Sequence, residues 1–432
     1  MNASTKQNEG LGKYMPLAFA AGIGSMLGSG IIVGLSATIV VWQEGLGLDT
    51  TQVGLLSGIL TFAIAFGSLF GGRLADKIGR VLFFNWINLF YAIGAAICVF
   101  APNFTVLLIG LIIAGLASGA DLPVAMTIVS HDAPDEATAA QLVSTTQVFW
   151  QVGVFISFIC AFLVSAMQGA TGGRVVFAIL AVFAVIAWLW RLLSPTFRRF
   201  HEAADVRDAA RPAIVGNGKV SVTKVLFGAD KKVLLTYFLA IVIFYVGWNL
   251  LANTWGQFQT YMFSKAGAAQ SLATGLGIIL NFVTLVLNIV FASIAGGKYR
   301  NKAFFAGIVI SLIAMAAMAM GGADLWVIVG ATAFMNLGSP LAGEALYKVW
   351  TQESFPIEIR ASIQGFINGF SRLCCGLFAL ITPALVLPET IQTTMWCFFG
   401  IVIIEGIAGT IMIRAQKKYG TDEERQAHKI AA

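Results

Sequence analysis

Charged side chains inside long apolar stretches are the residues of this sequence best suited to chemistry. Asp121 lies in Gly119-Ala120-Asp121-Leu122-Pro123, at the middle of an apolar run. A charged group at the depth of a bilayer is costly, so it is a candidate functional group by default. Because desolvation favours the protonated form of a carboxyl, Asp121 would suit proton coupling. We also predict that Pro123 breaks the local helix. The alternative for Asp121 is a structural hydrogen bond to a neighbouring helix.

Charge also occurs in apolar runs of the C-terminal half. Glu344 and Lys348 are four residues apart and therefore share one helix face, with the glutamate on the N-terminal side, as pairing favours. They are either a self-neutralising pair or a substrate site. Arg372 lies in the next run, and Asp121 is a possible partner for its charge.

Uncharged polar and aromatic residues complete the candidate binding cavity. Amides offer donors and acceptors that match vicinal hydroxyls, and an indole face packs against the apolar side of a sugar ring. The alternative is that the amides join neighbouring helices in lipid. The predicted substrate contacts of this kind are Gln147, Gln151, Trp248, Asn249, Asn253, Trp255, Asn281, Asn288 and Asn368, and Asn336 is a further amide of the same region.

The elements that position these side chains are membrane-spanning helices. The chain has 58% hydrophobic and 11% charged residues, whereas a soluble domain has about 25% charged residues. A bilayer is crossed by about 20 apolar residues in a helix. Counting such runs predicts an all-α membrane protein with twelve spans, near 15–42, 52–71, 82–101, 105–129, 141–166, 174–192, 233–261, 270–294, 303–321, 325–352, 362–386 and 392–414.

Basic residues predict the orientation and the division of the chain. Lys and Arg are concentrated in the long loop between spans 6 and 7, and only Arg174 and Lys265 would lie on the outer side. Cytoplasmic loops carry such an excess, so both termini are expected in the cytoplasm. The predicted parts are an N-terminal six-helix half (1–192), a linker (193–232) with a short amphipathic helix around Phe200–Ala210, and a C-terminal six-helix half with its tail (233–432).

A signature segment and its repeat indicate the family. Gly72-Arg73-Leu74-Ala75-Asp76-Lys77-Ile78-Gly79-Arg80 predicts a short charged loop between two spans. Its worn counterpart is Gly296-Gly297-Lys298-Tyr299-Arg300-Asn301-Lys302, and His131–Pro134 has a counterpart in Glu353–Pro356 at a similar offset. The segment resembles the loop between helices 2 and 3 of the major facilitator superfamily. The resemblance implies two pseudo-symmetric six-helix halves with a substrate site between them and alternating access.

Within that superfamily the chain resembles the sugar porters, and among them the bacterial inositol-transporter-like members. Glu353-x-x-Pro356-x-x-x-Arg360-Ala361 matches a sugar porter signature, and Gln147 and Gly247-x-Asn249 match its sugar-contacting positions. The chain departs from the family where its proton symporters carry an aspartate and an arginine, because Gly30 and Leu107 stand there. Family-style proton coupling is therefore not carried over.

The resemblance implies two further assignments. Lys348 and Arg372 fall at or next to tryptophan positions of the sugar porters, and two cations there would suit a sugar acid, since a guanidinium grips a carboxylate bidentately. A neutral polyol or sugar is the preferred interpretation. A conformational latch is expected at Gly72, Asp76, Gly79, Arg80, Glu353 and Arg360, with Asp76 at the N-terminus of span 11, where the helix dipole favours a carboxylate.

The sequence also excludes several classes of protein. The five cysteines lie inside apolar runs and the three histidines are far apart, so neither a disulfide framework nor a metal site is indicated. No G-x-x-x-x-G-K-[ST] motif occurs, which disfavours an ATP-driven pump.

We expect a non-enzymatic secondary transporter without cofactor, a monomer in a bacterial inner membrane. It would import a sugar, cyclitol or sugar acid, with a proton as partner and no nucleic acid. The alternatives are a proton-antiport exporter, a passive facilitator and, remotely, a non-transporting membrane sensor.

Overall fold

The computed structural model of the 432-residue chain describes residues 3–133, 136–210, 226–228, 230–294, 299–422 and 424–425. Helices account for the regular structure of these residues, and none of them is in a β-strand. The helices are α1 Ala3–Leu46, α2 Thr50–Ile78, α3 Arg80–Val99, α4 Phe104–Asp132, α5 Glu136–Leu163, α6 Thr171–Leu193, α7 Pro195–Ala210, α8 Lys231–Lys265, α9 Gln270–Ile294, α10 Arg300–Gly321, α11 Leu325–Leu341, α12 Glu344–Ser354, α13 Ile357–Leu385 and α14 Ile391–Tyr419.

Many of these helices are long enough to cross a membrane. In the part of the chain that the structure describes, 11 helical stretches are long and apolar enough to cross a bilayer, and Val148–Leu163 within α5 is a shorter apolar helix. The stretch Leu325–Thr351 combines α11 and α12. The prediction of an all-α membrane protein is confirmed. The chain forms two compact units, Met1–Gly216 and Asn217–Ala432.

The first unit is held by close helix pairs. α1 packs along α5 and α6, α2 along α4, and α3 against α4 and α6. A Cβ on Gly119 of α4 would lie 2.1 Å from the carbonyl oxygen of Ile64, so only glycine allows α2 and α4 to approach this closely. α7 lies against the end of α4, where the His201 imidazole contacts the Asp132 carboxylate.

In the second unit α8 is central. It packs against α14 and α13, with smaller contacts to α9, α11 and α12. α10 packs against α11 and α14, and α9 against α11.

The signature segment is more helical than the sequence predicts. α2 continues through Ile78, so Gly79 alone makes the turn before α3 begins at Arg80. Gly79 has φ 106°, a region that favours glycine. The expectation of a loop from Gly72 to Arg80 is therefore wrong, because Leu74, Ala75 and Lys77 favour a helix and the turn is made at Gly79.

The predicted break at Pro123 is also wrong, since α4 is continuous from Phe104 to Asp132. Proline cannot donate to the carbonyl four residues earlier, which here belongs to Gly119. The Ser68 hydroxyl of α2 donates to that carbonyl oxygen at 2.9 Å. A neighbouring helix thus replaces the missing hydrogen bond and keeps α4 intact.

Candidate functional site

The tenth span is the discontinuous one. α11 ends at Leu341 and α12 begins at Glu344, with Ala342 and Gly343 between them. The sequence Gly338-Ser339-Pro340-Leu341-Ala342-Gly343 explains the break, because proline and glycine weaken a helix interior. The indole nitrogen of Trp248 on α8 donates to Ser339 Oγ at 2.9 Å and approaches the Ser339 carbonyl oxygen at 3.2 Å. Breaks of this kind mark binding sites in membrane transporters.

An aromatic ladder lies beside the break. The ring of Tyr245 on α8 stacks on Tyr347 of α12 with centroids 3.9 Å apart, and on Trp248 with centroids 5.7 Å apart. The Tyr347 hydroxyl donates to the Gln364 carbonyl oxygen at 3.1 Å, which ties α12 to α13. Our sequence analysis missed both tyrosines. The spacing of Tyr245 and Trp248, three residues apart on one helix face, was the available signal.

Amides and an arginine lie between α8 and α13. Asn249 Nδ2 donates to Ser371 Oγ at 2.8 Å, and that hydroxyl donates to the Asn368 carbonyl oxygen at 3.0 Å. Arg372 Nε donates to Asn368 Oδ1 at 3.1 Å. Asn249, Asn368 and Arg372, all predicted as substrate contacts, are therefore joined through Ser371, a residue that the sequence did not single out.

Charges of the same cluster are close to one another. Lys348 Nζ lies 2.8 Å from Glu344 Oε1, which places the two charges in the i, i+4 pair that their spacing allows. Their side chains are 35% and 44% exposed. Glu344, Arg372 and Tyr245 are close enough to interact with one another electrostatically. The second unit thus gathers Trp248, Asn249, Glu344, Lys348, Asn368 and Arg372 into one polar and aromatic cluster, which we call the α8–α12–α13 cluster.

Other predicted substrate contacts have different surroundings. Trp255 is 4% exposed and donates to Thr332 Oγ1 at 3.3 Å, so it is buried in this conformation, and its role as a substrate contact remains a prediction. Asn253 Oδ1 accepts from Gln257 Nε2 on the same helix at 2.7 Å.

The remaining amides lie on α5, α9 and α11. Asn281 Nδ2 donates to the Gly277 carbonyl oxygen of its own helix at 2.9 Å, and Asn336 joins α11 to the Leu280 carbonyl oxygen of α9 at 3.1 Å. Asn288 is exposed and Gln151 half-buried, while the Gln147 side chain lies outside the described residues.

Asp121 has a partner that the sequence did not suggest. Two nitrogens of Arg191 on α6 donate to its two carboxylate oxygens, at 2.6 Å and 3.1 Å. The expectation that Asp121 neutralises Arg372 is wrong, because its charge is already matched by an arginine of its own unit. Asp121 is 3% exposed and Arg191 1% exposed, so this is a buried bidentate ion pair.

Arg191 is held by the backbone as well. It donates to the Ala20 carbonyl oxygen of α1 at 2.8 Å and to the Phe84 carbonyl oxygen of α3 at 3.0 Å, and its guanidinium lies 3.8 Å from the Phe84 ring centroid. A Cβ on Gly24 would lie 2.8 Å from Arg191 Nη2, so α1 is glycine where it meets the pair. One arginine thereby connects α1, α3, α4 and α6. Arg191 stands at the end of an apolar run, so the sequence pattern did not identify it as a candidate functional residue.

Residues of the expected latch are placed only in part. Glu353 accepts from both terminal nitrogens of Arg300, at 2.6 Å and 3.0 Å, and from Gln416 Nε2 at 3.1 Å. Arg80 is exposed, Gly72 lies within α2, and the side chains of Asp76 and Arg360 lie outside the described residues. Glu353 therefore serves a network that joins α10, α12 and α14 within the second unit. The latch itself remains a prediction.

Apolar spanning helices, a discontinuous span and a polar cluster beside it define a helical membrane transporter, not a soluble binding protein. The chain belongs to the Major Facilitator Superfamily, whose family model matches residues 17–379. The superfamily resemblance inferred from Gly72–Arg80 is thereby confirmed, and with it the expectation that the protein is a transporter and not an enzyme.

Relatives and solved structures extend this comparison. The chain is 29% identical to the minor myo-inositol transporter IolF of Bacillus subtilis over 407 residues, which cover 91% of this chain and 89% of that protein. It is 33% identical to the niacin transporter NiaP of Acinetobacter baylyi over 162 residues, 37% of this chain and 36% of that protein. The crystal structure of a D-xylose-proton symporter has the same fold, with a TM-score of 0.73 and 13% identity over 90% of this chain and 95% of that one.

Proposed function

We propose that this protein imports a small polyhydroxylated solute, a sugar or a cyclitol such as inositol, by secondary transport with alternating access. The observation that carries the proposal is the half-buried indole of Trp248, which stacks on the buried Tyr245 and lies next to the half-buried amides of Asn249 and Asn368. A ring face and an amide row together recognise the apolar face and the hydroxyl edge of a polyol.

The relatives support the same substrate class. A transporter named for myo-inositol aligns with nearly the whole chain, whereas the niacin transporter aligns with about a third of it. Inositols and hexoses share a six-membered ring with vicinal hydroxyls, so either would fit the chemistry of the α8–α12–α13 cluster.

Charge balance favours a neutral substrate over a sugar acid. Glu344 neutralises Lys348 at 2.8 Å and also interacts with Arg372. An anionic substrate would have to compete with a carboxylate that is already present. The sugar-acid alternative predicts the opposite, a preference for hexuronates that depends on Arg372.

We propose proton symport, with Asp121 as the coupling group. Protonation would remove the negative charge from a buried ion pair and leave Arg191 without its counter-charge. If the paired and protonated states favour different conformations, the free-energy difference between them links the proton gradient to the conformational change. In the same proposal the protein lies in a bacterial inner membrane as a monomer, with both termini in the cytoplasm.

The test is transport by purified protein in proteoliposomes. Labelled myo-inositol should exchange in entrance counterflow, and an imposed inward proton gradient should drive its accumulation. Competition by other cyclitols, hexoses, xylose, hexuronates and niacin then ranks the substrates. Counterflow without any response to pH would indicate a facilitator, proton-driven efflux from inverted vesicles an exporter, and absence of binding and transport of every polyol would overturn the proposal.

A further inference from the structure

One acidic side chain of α14 is buried against the interior of the second unit. Glu405 is 4% exposed, and it shares a helix face with Phe398, Val402, Ala408 and Met412, all buried. The opposite face of α14 carries Ile404, Ile407 and Ile411, which are 54%, 56% and 47% exposed. Glu405 therefore points away from the surface that lipid would cover.

The surroundings of Glu405 are apolar and tightly packed. A Cβ on Gly247 of α8 would lie 3.6 Å from the Glu405 Cβ and 3.5 Å from Ile401 Cγ2. On the side of α10, Ile308 packs against Gly406 and Phe304 against Gly409. The Glu405 side chain thus lies beside an apolar contact of α14 with α8 and close to the contact of α14 with α10.

Glu405 differs from the other buried acids. Of the three buried acidic side chains among the described residues, Asp121 pairs with Arg191 and Asp132 contacts His201. Within the same described ranges no hydrogen bond or salt bridge involves Glu405.

Titratable groups on the packed helices are engaged elsewhere. On α8, Tyr245 stacks on Tyr347 and Tyr237 donates to the Gly420 carbonyl oxygen. On α10, Arg300 pairs with Glu353 and Lys302 lies over the Tyr299 ring. The outlying groups are exposed or lie at helix ends: Lys231, Lys232, Lys265, Cys397, Arg414, Lys417 and Lys418.

We propose that Glu405 is a proton-binding site of the second unit, occupied by a proton in the conformation described here. An ionised carboxylate without a counter-charge or donor cannot be accommodated in such surroundings, whereas the neutral acid can. When the carboxyl O–H bond breaks, the proton passes to water and the remaining carboxylate requires solvation. Ionisation is therefore expected to bring water to the segment of α14 that faces Gly247 of α8.

The position of Gly247 gives this ionisation a route to the substrate cluster. Trp248 and Asn249 follow it directly on α8, so any movement of this segment alters the indole contact with Ser339 and the bond to Ser371. This coupling rests on the proposed transport function. The occupancy of Glu405 by a proton does not.

Infrared spectroscopy tests the proton itself. At neutral pH, wild-type protein should show a carboxylic acid C=O band that is lost in Glu405→Gln, a neutral isostere, and kept in Glu202→Gln, whose carboxylate is 67% exposed on α7. If Glu405→Gln instead loses intensity in the band of ionised carboxylates, Glu405 is not protonated and the proposal is refuted. If the glutamine variant does not fold, wild-type protein is titrated to alkaline pH instead. The carboxylic acid C=O band should be present at neutral pH and lost as the carboxyl group ionises. Absence of any such band at neutral pH would refute the proposal.

Proteoliposomes test the coupling. In Glu405→Gln the ratio of gradient-driven uptake to counterflow should fall at least tenfold, whereas Glu202→Gln should keep the wild-type ratio. An unchanged ratio in Glu405→Gln would refute coupling through this residue. If wild-type protein shows no counterflow with any polyol, it is the proposed function that fails, and the infrared band still decides whether Glu405 holds a proton.

Discussion

Gly343 and Trp248 are in such close contact that a Cβ on Gly343 would lie 2.5 Å from the indole nitrogen of Trp248. The same Cβ would lie 2.3 Å from the Ser339 carbonyl oxygen, which also faces that indole. The position of Trp248 beside the break between α11 and α12 therefore depends on a glycine at position 343.

Gly343→Ala should weaken polyol binding, because the added methyl group displaces the Trp248 indole from Ser339. We expect a loss of affinity of about tenfold, equivalent to about 1.4 kcal/mol, measured by calorimetric titration of purified protein. Gly330→Ala is the matched control, since Gly330 is exposed on α11 and a Cβ added there would meet no atom within 4 Å. Equal losses in both variants would contradict the assignment.

Removal of Arg191 should destabilise the first unit. Arg191→Met leaves Asp121 as a buried charge without its partner, and breaking such a pair costs about 3–5 kcal/mol. Thermal unfolding in detergent should show a clear decrease in Tm, whereas Arg198→Met, at an arginine 84% exposed, should leave it near the wild-type value. The double variant Asp121→Asn with Arg191→Met should lose less than the sum of the single changes. Additive losses would show that the two residues do not act as a pair.

Two asparagines of the second unit should separate binding from stability. Asn249→Ala removes an amide of the α8–α12–α13 cluster and its bond to Ser371, so polyol affinity should fall about tenfold. Asn336→Ala removes a link between α11 and α9 and should lower Tm without a comparable change in affinity. Comparison of titration and thermal unfolding for both variants checks the distinction, and the reverse pattern would exclude Asn249 as a contact.

Glu344→Gln should change selectivity. Without its carboxylate, Lys348 becomes an uncompensated cation that attracts anions. We expect the affinity for hexuronates relative to cyclitols to rise roughly fivefold, the equivalent of about 1 kcal/mol for a partly exposed pair. Competition against labelled myo-inositol measures the ratio. An unchanged ratio would mean that Lys348 does not face the substrate.

Glu353→Gln should loosen the contact among α10, α12 and α14. It removes the negative charge that faces Arg300 and one of the two acceptor oxygens, and a hydrogen bond to a charged group contributes about 1.5–3 kcal/mol. The Tm should fall in this variant and stay near wild type in Glu389→Gln, an exposed glutamate of the α13–α14 turn. A Tm unchanged by Glu353→Gln would show that the network is not a source of stability.

Local features of this protein follow from the sequence. Apolar runs of bilayer length predict the spans, and the i, i+4 spacing of Glu344 and Lys348 predicts their ion pair, because both depend on neighbours along a single helix. Gly79 likewise makes the turn between α2 and α3 by its own conformational freedom. The resemblance to the superfamily was likewise inferred from a local signature, the segment Gly72–Arg80.

Contacts between helices required the tertiary structure. Asp121 finds its partner 70 residues away in Arg191, and Ser68 of α2 keeps α4 continuous at Pro123. The burial of Trp255 and Glu405 also depends on which helix faces which.

A helical pattern defines the faces of each helix, but the pairing of those faces is decided by packing between residues far apart in the chain, and that information is not local. The sequence alone determined a helical membrane transporter rich in candidate polar contacts. The fold decided which of them form a cluster, which are core, and which acid is left without a counter-charge.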